Sequence, residues 1–160
     1  MSVSVWVLAV FLIVCEPLKG WHHAFAREHR TAVDFALEVD WLLSKSPYKD
    51  VPKIRFVVDN LNIHVVSSLY KAFLAVKARE LARRLGIHYT PKHGSWLNIA
   101  EISISILSKQ CIDRRMPDLE LLNREIGAWE KEYNSRRRGV KWQFTTDDAR
   151  IKLHKLYPVF

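Results

Sequence analysis

His88-Tyr89-Thr90-Pro91-Lys92-His93-Gly94-Ser95-Trp96-Leu97-Asn98-Ile99-Ala100-Glu101 is the stretch whose reading decides the fold. A short strand, Ile87–Tyr89, breaks at Pro91, and the loop Lys92-His93-Gly94 leads to a helix opening at Ser95 and running on to Gln110. Ser95 suits the N-cap because its hydroxyl can accept an orphan backbone N–H. Glu101 falls in the second turn. A strand, a basic glycine loop and a helix with one acid can present a metal ligand at the end of a sheet. Downstream, Ile102-Ser103-Ile104-Ser105-Ile106 alternates with a strand's period, yet Leu97, Ala100, Ile104 and Leu107 form one helical stripe. The cap and the segment length favour the helix.

Upstream, Ser67–Phe73 and Val76–Leu85 read as helices, with Gly86 expected as the left-handed residue that ends the second. Before them Lys53–Asp59 reads as a buried strand ending in a carboxylate, where open α/β sheets place their ligand sites. The helix preceding it opens on a capping box, Thr31 to Asp34, and carries Val33, Leu37 and Trp41 at helical spacing. It ends near Ser44–Pro47, and a crossover into a parallel strand follows from that order. The apolar run Val3–Cys15 is shorter than a membrane helix of about 20 residues and reads as a central strand. A turn at Glu16–Gly20 then returns the chain as an antiparallel strand, Trp21–Glu28. Its His22 and His23 are expected to be an exposed pair. On the far side, Leu119–Ser135 forms a long helix ended by Arg136–Arg138, and Thr145 caps a last helix carrying Ala149, Leu153 and Leu156.

No repeat or linker divides residues 1–160, so a single α/β domain is expected. Of its residues 49% are hydrophobic and 26% charged, as in ordinary folded proteins. The net charge of +8 is unevenly spread. Residues 60–115 hold 9 basic against 3 acidic side chains, whereas residues 1–59 hold 7 of each. That clustering points to a polyanion such as DNA, or to a solvated basic helix face. Cys15 and Cys111 have no metal-ligand spacing and fit buried thiols in a reducing compartment.

Asp59 and Glu101 are the candidate chemistry. Two carboxylates in a basic surface can hold Mg²⁺ or Mn²⁺ through oxygen while cations hold a phosphate chain. A two-metal site normally takes at least three acidic ligands, and the sequence offers two. Each acid alone has an ordinary reading, as a turn residue or a helix-opening carboxylate. His88 with His93 is a poor zinc pair.

Three segments carry a resemblance: V-V-D-N-L-N-I-H (57–64), the 88–101 stretch, and W-Q-F-T-T-D-D-A-R-I-K-L (142–153). They resemble insertion-sequence transposases of the bacterial DDE group related to mariner elements. The similarity extends to E-P-L-K-G-W (16–21) and R-T-A-V-D-F-A (30–36). It implies an RNase H-like mixed sheet flanked by helices, and three metal-binding carboxylates that direct attack by water or a DNA 3′-hydroxyl on a phosphodiester. Asp59 matches the second acid and Glu101 the third. Asn60, His64 and Asn98 fall at site-orienting positions, and Lys92 and His93 at DNA-contacting ones. Arg83 and Arg84 are expected to add phosphate contacts.

The family's first acid lies on a strand preceding the segment matched by Glu16–Gly20, and residues 1–15 contain neither Asp nor Glu. The resemblance therefore implies the C-terminal part of a transposase, lacking the first strand and inactive alone. One sheet edge would stand open and self-association would follow. A full-length transposase or an upstream-frame fragment could supply the missing acid. The expected setting is the bacterial cytoplasm, at the nucleoid, without membrane contact. The alternative is a non-enzymatic DNA-binding or inhibitory remnant. A generic α/β ligand-binding domain would need a phosphate-binding glycine loop, and E-P-L-K-G is not one.

Overall fold

The computed structural model describes residues 9–91, 99–141, 143–152 and 154. Strand β1 (Val10–Glu16) turns at Pro17–Gly20 and pairs antiparallel with β2 (Trp21–Arg27), Val10 opposite Arg27 and Glu16 opposite Trp21. Gly20 sits at φ +65°, and a Cβ there would overlap the backbone of Arg138. The turn is thus clamped by the 138–140 segment, with the Val140 amide donating to the Pro17 carbonyl at 2.8 Å. Only glycine allows both the left-handed backbone and that approach.

Helix α1 (Ala32–Ser44) opens on the expected capping box: Thr31 accepts from the Asp34 amide, and the Asp34 carboxylate accepts from the Thr31 amide. The chain then forms β3 (Ile54–Val58), a 3-10 turn at Val66–Ser68, the short α2 (Leu69–Ala72) and α3 (Ala75–Arg84). Strand β4 (Leu85–Tyr89) pairs parallel with β3 by way of α2 and α3, whereas the parallel crossover expected through α1 is not formed, since β3 pairs with β4 and not with β1 or β2. Gly86 does not end α3 in a left-handed turn. Leu85 caps the helix with extended angles, and Gly86 lies opposite Arg55 in the ladder. Helix passes into strand without a turn residue because Leu85 already belongs to the core.

Helix α4 (Ile99–Gln110) settles the ambiguous serine–isoleucine alternation. The Ser103 and Ser105 hydroxyls donate back to the Ile99 and Glu101 carbonyls, one helical turn earlier. Ser95, the expected cap, lies outside the described residues, as do Leu97, Trp142, Leu153 and Leu156. Asp118 caps α5 (Leu119–Ser135) by accepting from the Leu121 amide, and Thr145 with Asp148 forms a second capping box at α6 (Thr146–Lys152).

The expected single mixed sheet is not what the described residues form. They make two two-stranded sheets, β1–β2 and β3–β4, with no ladder between them. Each has its own core. Phe35, Val39, Leu43, Leu69 and Leu81 pack with Leu85 beside β3 and β4, while Ala24, Ala26, Leu107, Leu122 and Ile126 pack under β1 and β2. Alternation along β2 sends the two rings to opposite faces: His22 meets α4 and α5, and His23 meets α1 and reaches Glu130 of α5. Among the described residues no helix is long and apolar enough to cross a membrane.

Candidate active site

A cavity of about 360 Å³ lies between the two sheets. Asp59, at the C-terminal end of β3, lines it together with Glu101 in the first turn of α4. The fold therefore brings together two acids that are 42 positions apart. Asp59 is held from two sides. Its Oδ1 accepts from the Leu61 amide at 3.3 Å and lies 2.5 Å from His64 Nδ1. A carboxylate only accepts, so His64 presents its proton there. His64 is itself fixed: Phe35 packs 5.0 Å from its ring, and its carbonyl accepts from the Tyr89 hydroxyl at 2.9 Å. Asn60 donates to the Thr90 carbonyl at 2.7 Å and ties the end of β3 to the end of β4. Glu101 is exposed, and its place near the helix N-terminus favours its negative charge.

Lys92, His93 and Asn98 lie outside the described residues. Arg83 is exposed on α3. Arg84 instead braces the fold, its guanidinium donating to the carbonyls of Leu43, Tyr48, Lys49 and Val51. Those bonds close the C-terminal end of α1 and the loop after it, leaving few donors for phosphate. Sequence reasoning missed Arg30 and Arg55, which line the same cavity as Asp59 and whose side chains make no hydrogen bond or ion pair among the described residues. Arg55 interrupts an apolar strand, a signal that could have marked it.

The donor chemistry suits a hard divalent cation, since carboxylate oxygens are its preferred ligands. Among the described residues no group of three or more His, Cys, Asp or Glu side chains gathers as a metal site. Glu16 and Glu38 also line the cavity, but both have partners. Glu16 accepts from the Tyr48 hydroxyl at 2.6 Å and from Lys19, bonds that outweigh its burial and lower its pKa. Glu38 is paired with His23 and Arg27.

The sequence profile described as DDE superfamily endonuclease matches residues 8–123. No curated protein matches the chain. No solved structure matches it either.

Proposed function

The chain belongs to the DDE superfamily endonuclease family, and on that premise we propose that it is part of the catalytic domain of an insertion-sequence transposase, of the group related to mariner elements and with an RNase H-like ancestry. The observation that carries the reading is the meeting of Asp59 and Glu101 in one cleft at the C-terminal end of β3. Its substrate is DNA, and its place of action is the bacterial nucleoid.

In this reading Asp59 and Glu101 hold Mg²⁺ or Mn²⁺. A metal held there would supply Lewis-acid activation of the attacking oxygen and neutralise charge on the phosphodiester. His64 keeps the Asp59 carboxylate in one orientation, and Asn60 fixes the strand end that carries it. Arg30 and Arg55 draw the phosphate chain towards the acids and Arg83 adds a further cation, while Lys92 and His93 are assigned to DNA contact on the sequence resemblance alone. Two carboxylates are one fewer than a two-metal site normally uses, so the 160-residue chain alone does not cleave DNA. A full-length transposase or an upstream-frame product supplies the third carboxylate, and self-association is open to the same surface.

Mn²⁺ binding followed by electron paramagnetic resonance tests the site. One weak site is expected, abolished by Asp59→Ala and by Glu101→Ala with circular dichroism unchanged. Binding indifferent to both substitutions would refute the assignment. Mg²⁺-dependent nicking of plasmid DNA that disappears in both variants would overturn the claim that the chain alone is inactive.

A further inference from the structure

Helix α5 ends against the preference of its own backbone. Arg136 caps it with helical angles, and Arg137 follows at φ +45°. Among the described residues no other non-glycine residue has a positive φ. The residue after a helix cap often turns left-handed, and glycine or asparagine usually takes that place, because a longer side chain strains the backbone there. Here the glycine comes two residues later. Gly139 answers a different need, since a Cβ on it would lie 2.3 Å from the Leu18 carbonyl oxygen.

The segment around this arginine is locked in place. Asn134, in the last turn of α5, bonds both the amide and the carbonyl of His22, as Asn123 does for Ala26, and the pair closes the outer edge of β2. Beyond the helix, the Gly139 amide donates to the Arg137 carbonyl at 3.1 Å and the Val140 amide to the Pro17 carbonyl at 2.8 Å. Gly20 packs directly on the Arg138 backbone. Residues 137–140 are thus seated on the turn between β1 and β2.

Their charges are not used within the fold. Arg137, Arg138 and Lys141 are exposed, and their side chains make no hydrogen bond or ion pair among the described residues. The neighbouring cations differ: Arg136 is paired with Glu132, and Lys19 on the turn with Glu16. No Asp or Glu occurs between Glu132 and Asp147. Arg84 holds Tyr48 and Val51 at the N-terminal end of the β3–β4 sheet, and Tyr48 bonds Glu16 beside the turn. The basic segment therefore stands at the end of the cleft opposite Asp59, which follows the C-terminal end of β3.

We propose that Arg137, Arg138 and Lys141 form a preset contact for the phosphate backbone of duplex DNA, separate from the acids and from α3. A strained residue persists where its surroundings hold it, and here they hold a guanidinium outward on a fixed backbone. Guanidinium forks match phosphate oxygens, and a fixed backbone lowers the ordering cost of binding. The choice of DNA as partner rests on the endonuclease reading; the locked basic surface does not.

The test measures anisotropy of a fluorescein-labelled duplex of about 20 base pairs against salt, using the 160-residue chain. Arg137→Gly with Arg138→Ala should weaken binding by roughly tenfold or more at about 0.1 M salt and remove roughly two units of salt slope. Arg137→Gly alone should weaken binding at an unchanged or higher urea midpoint, because it relieves the left-handed strain while removing the charge. Arg138→Ala with Lys141→Ala, which leaves the strained position intact, should lose a similar slope. Arg124→Ala with Lys131→Ala removes the same charge from the exposed side of α5 and should lose less than about one unit. Equal losses in the α5 pair and the Arg137 pair would mean diffuse charge and overturn the proposal, as would an unchanged slope in the Arg137 pair. Mn²⁺ binding by electron paramagnetic resonance should be the same in the Arg137 pair as in the wild type, so these failures leave the Asp59–Glu101 site standing. A wild-type chain that binds no duplex at low salt would remove the DNA reading and this contact together.

Discussion

His23 lies between two carboxylates, with Nε2 2.8 Å from Glu38 and Nδ1 3.0 Å from Glu130, and with Trp41 stacked on its ring at 3.8 Å. Two acceptors require both ring nitrogens to carry protons, which makes the ring an imidazolium. Burial opposes that charge, but the hydrogen bonds that the ring donates to Glu130 and Glu38 outweigh it and raise the pKa from 6.5 to about 9. A raised folded-state pKa stabilises fully below the unfolded value and less as pH climbs. Stability should therefore fall by up to about 3 kcal/mol between pH 6.5 and 9. Urea denaturation across that window measures it, and His23→Gln should flatten the slope. Its neighbour His22 behaves oppositely: burial lowers its pKa, and its Nε2 meets the buried Ser103 hydroxyl at 2.8 Å. An exposed histidine pair is the natural reading of Trp21–Glu28 because strand alternation predicts opposite faces, not what covers each face. The cover comes from residues 81 and 107 positions away, beyond any local pattern.

At the level of elements, the capping boxes and the bounds of α5 are legible because each depends on neighbours within a few residues. Thr31 with Asp34 is such a case. The closing of the β2 edge is not legible, since nothing in L-E-L-L-N-R-E-I-G-A-W-E-K-E-Y-N-S marks Asn123 and Asn134 as backbone mimics. Each side-chain amide replaces a neighbouring strand at one residue, donating to a carbonyl and accepting from an N–H. Asn134→Ala leaves both backbone groups of His22 unmatched, and Asn123→Ala does so for Ala26. Each should cost about 1–3 kcal/mol, read as a lower urea midpoint at unchanged slope. Asn134→Asp keeps the acceptor and loses the donor, so it should fall between wild type and alanine. Equal midpoints for all three proteins would mean that water replaces the amide without loss.

At the scale of the whole molecule, Asp59 and Glu101 line one cleft, but the division into two sheets is invisible to the sequence. V-F-L-I-V-C-E reads as a central strand, and whether anything lies on its far side is a property of the assembled fold. The charge pattern has a testable consequence at this same scale. Arg79 and Arg83 are exposed on α3 and make no ion pair among the described residues, whereas Lys77 is paired with Asp40 and Arg84 is turned into the fold. Free guanidiniums on one helix release counterions when they meet phosphate, and each contact adds about one unit to the salt dependence of binding. Duplex binding measured against salt should therefore lose roughly two units of slope in an Arg79→Ala, Arg83→Ala double variant. Without divalent metal, removal of Asp59 and Glu101 should leave that slope unchanged or slightly strengthen binding, because it lifts negative charge from a basic surface. An unchanged salt slope in the double arginine variant would mean instead that α3 is only a solvated face.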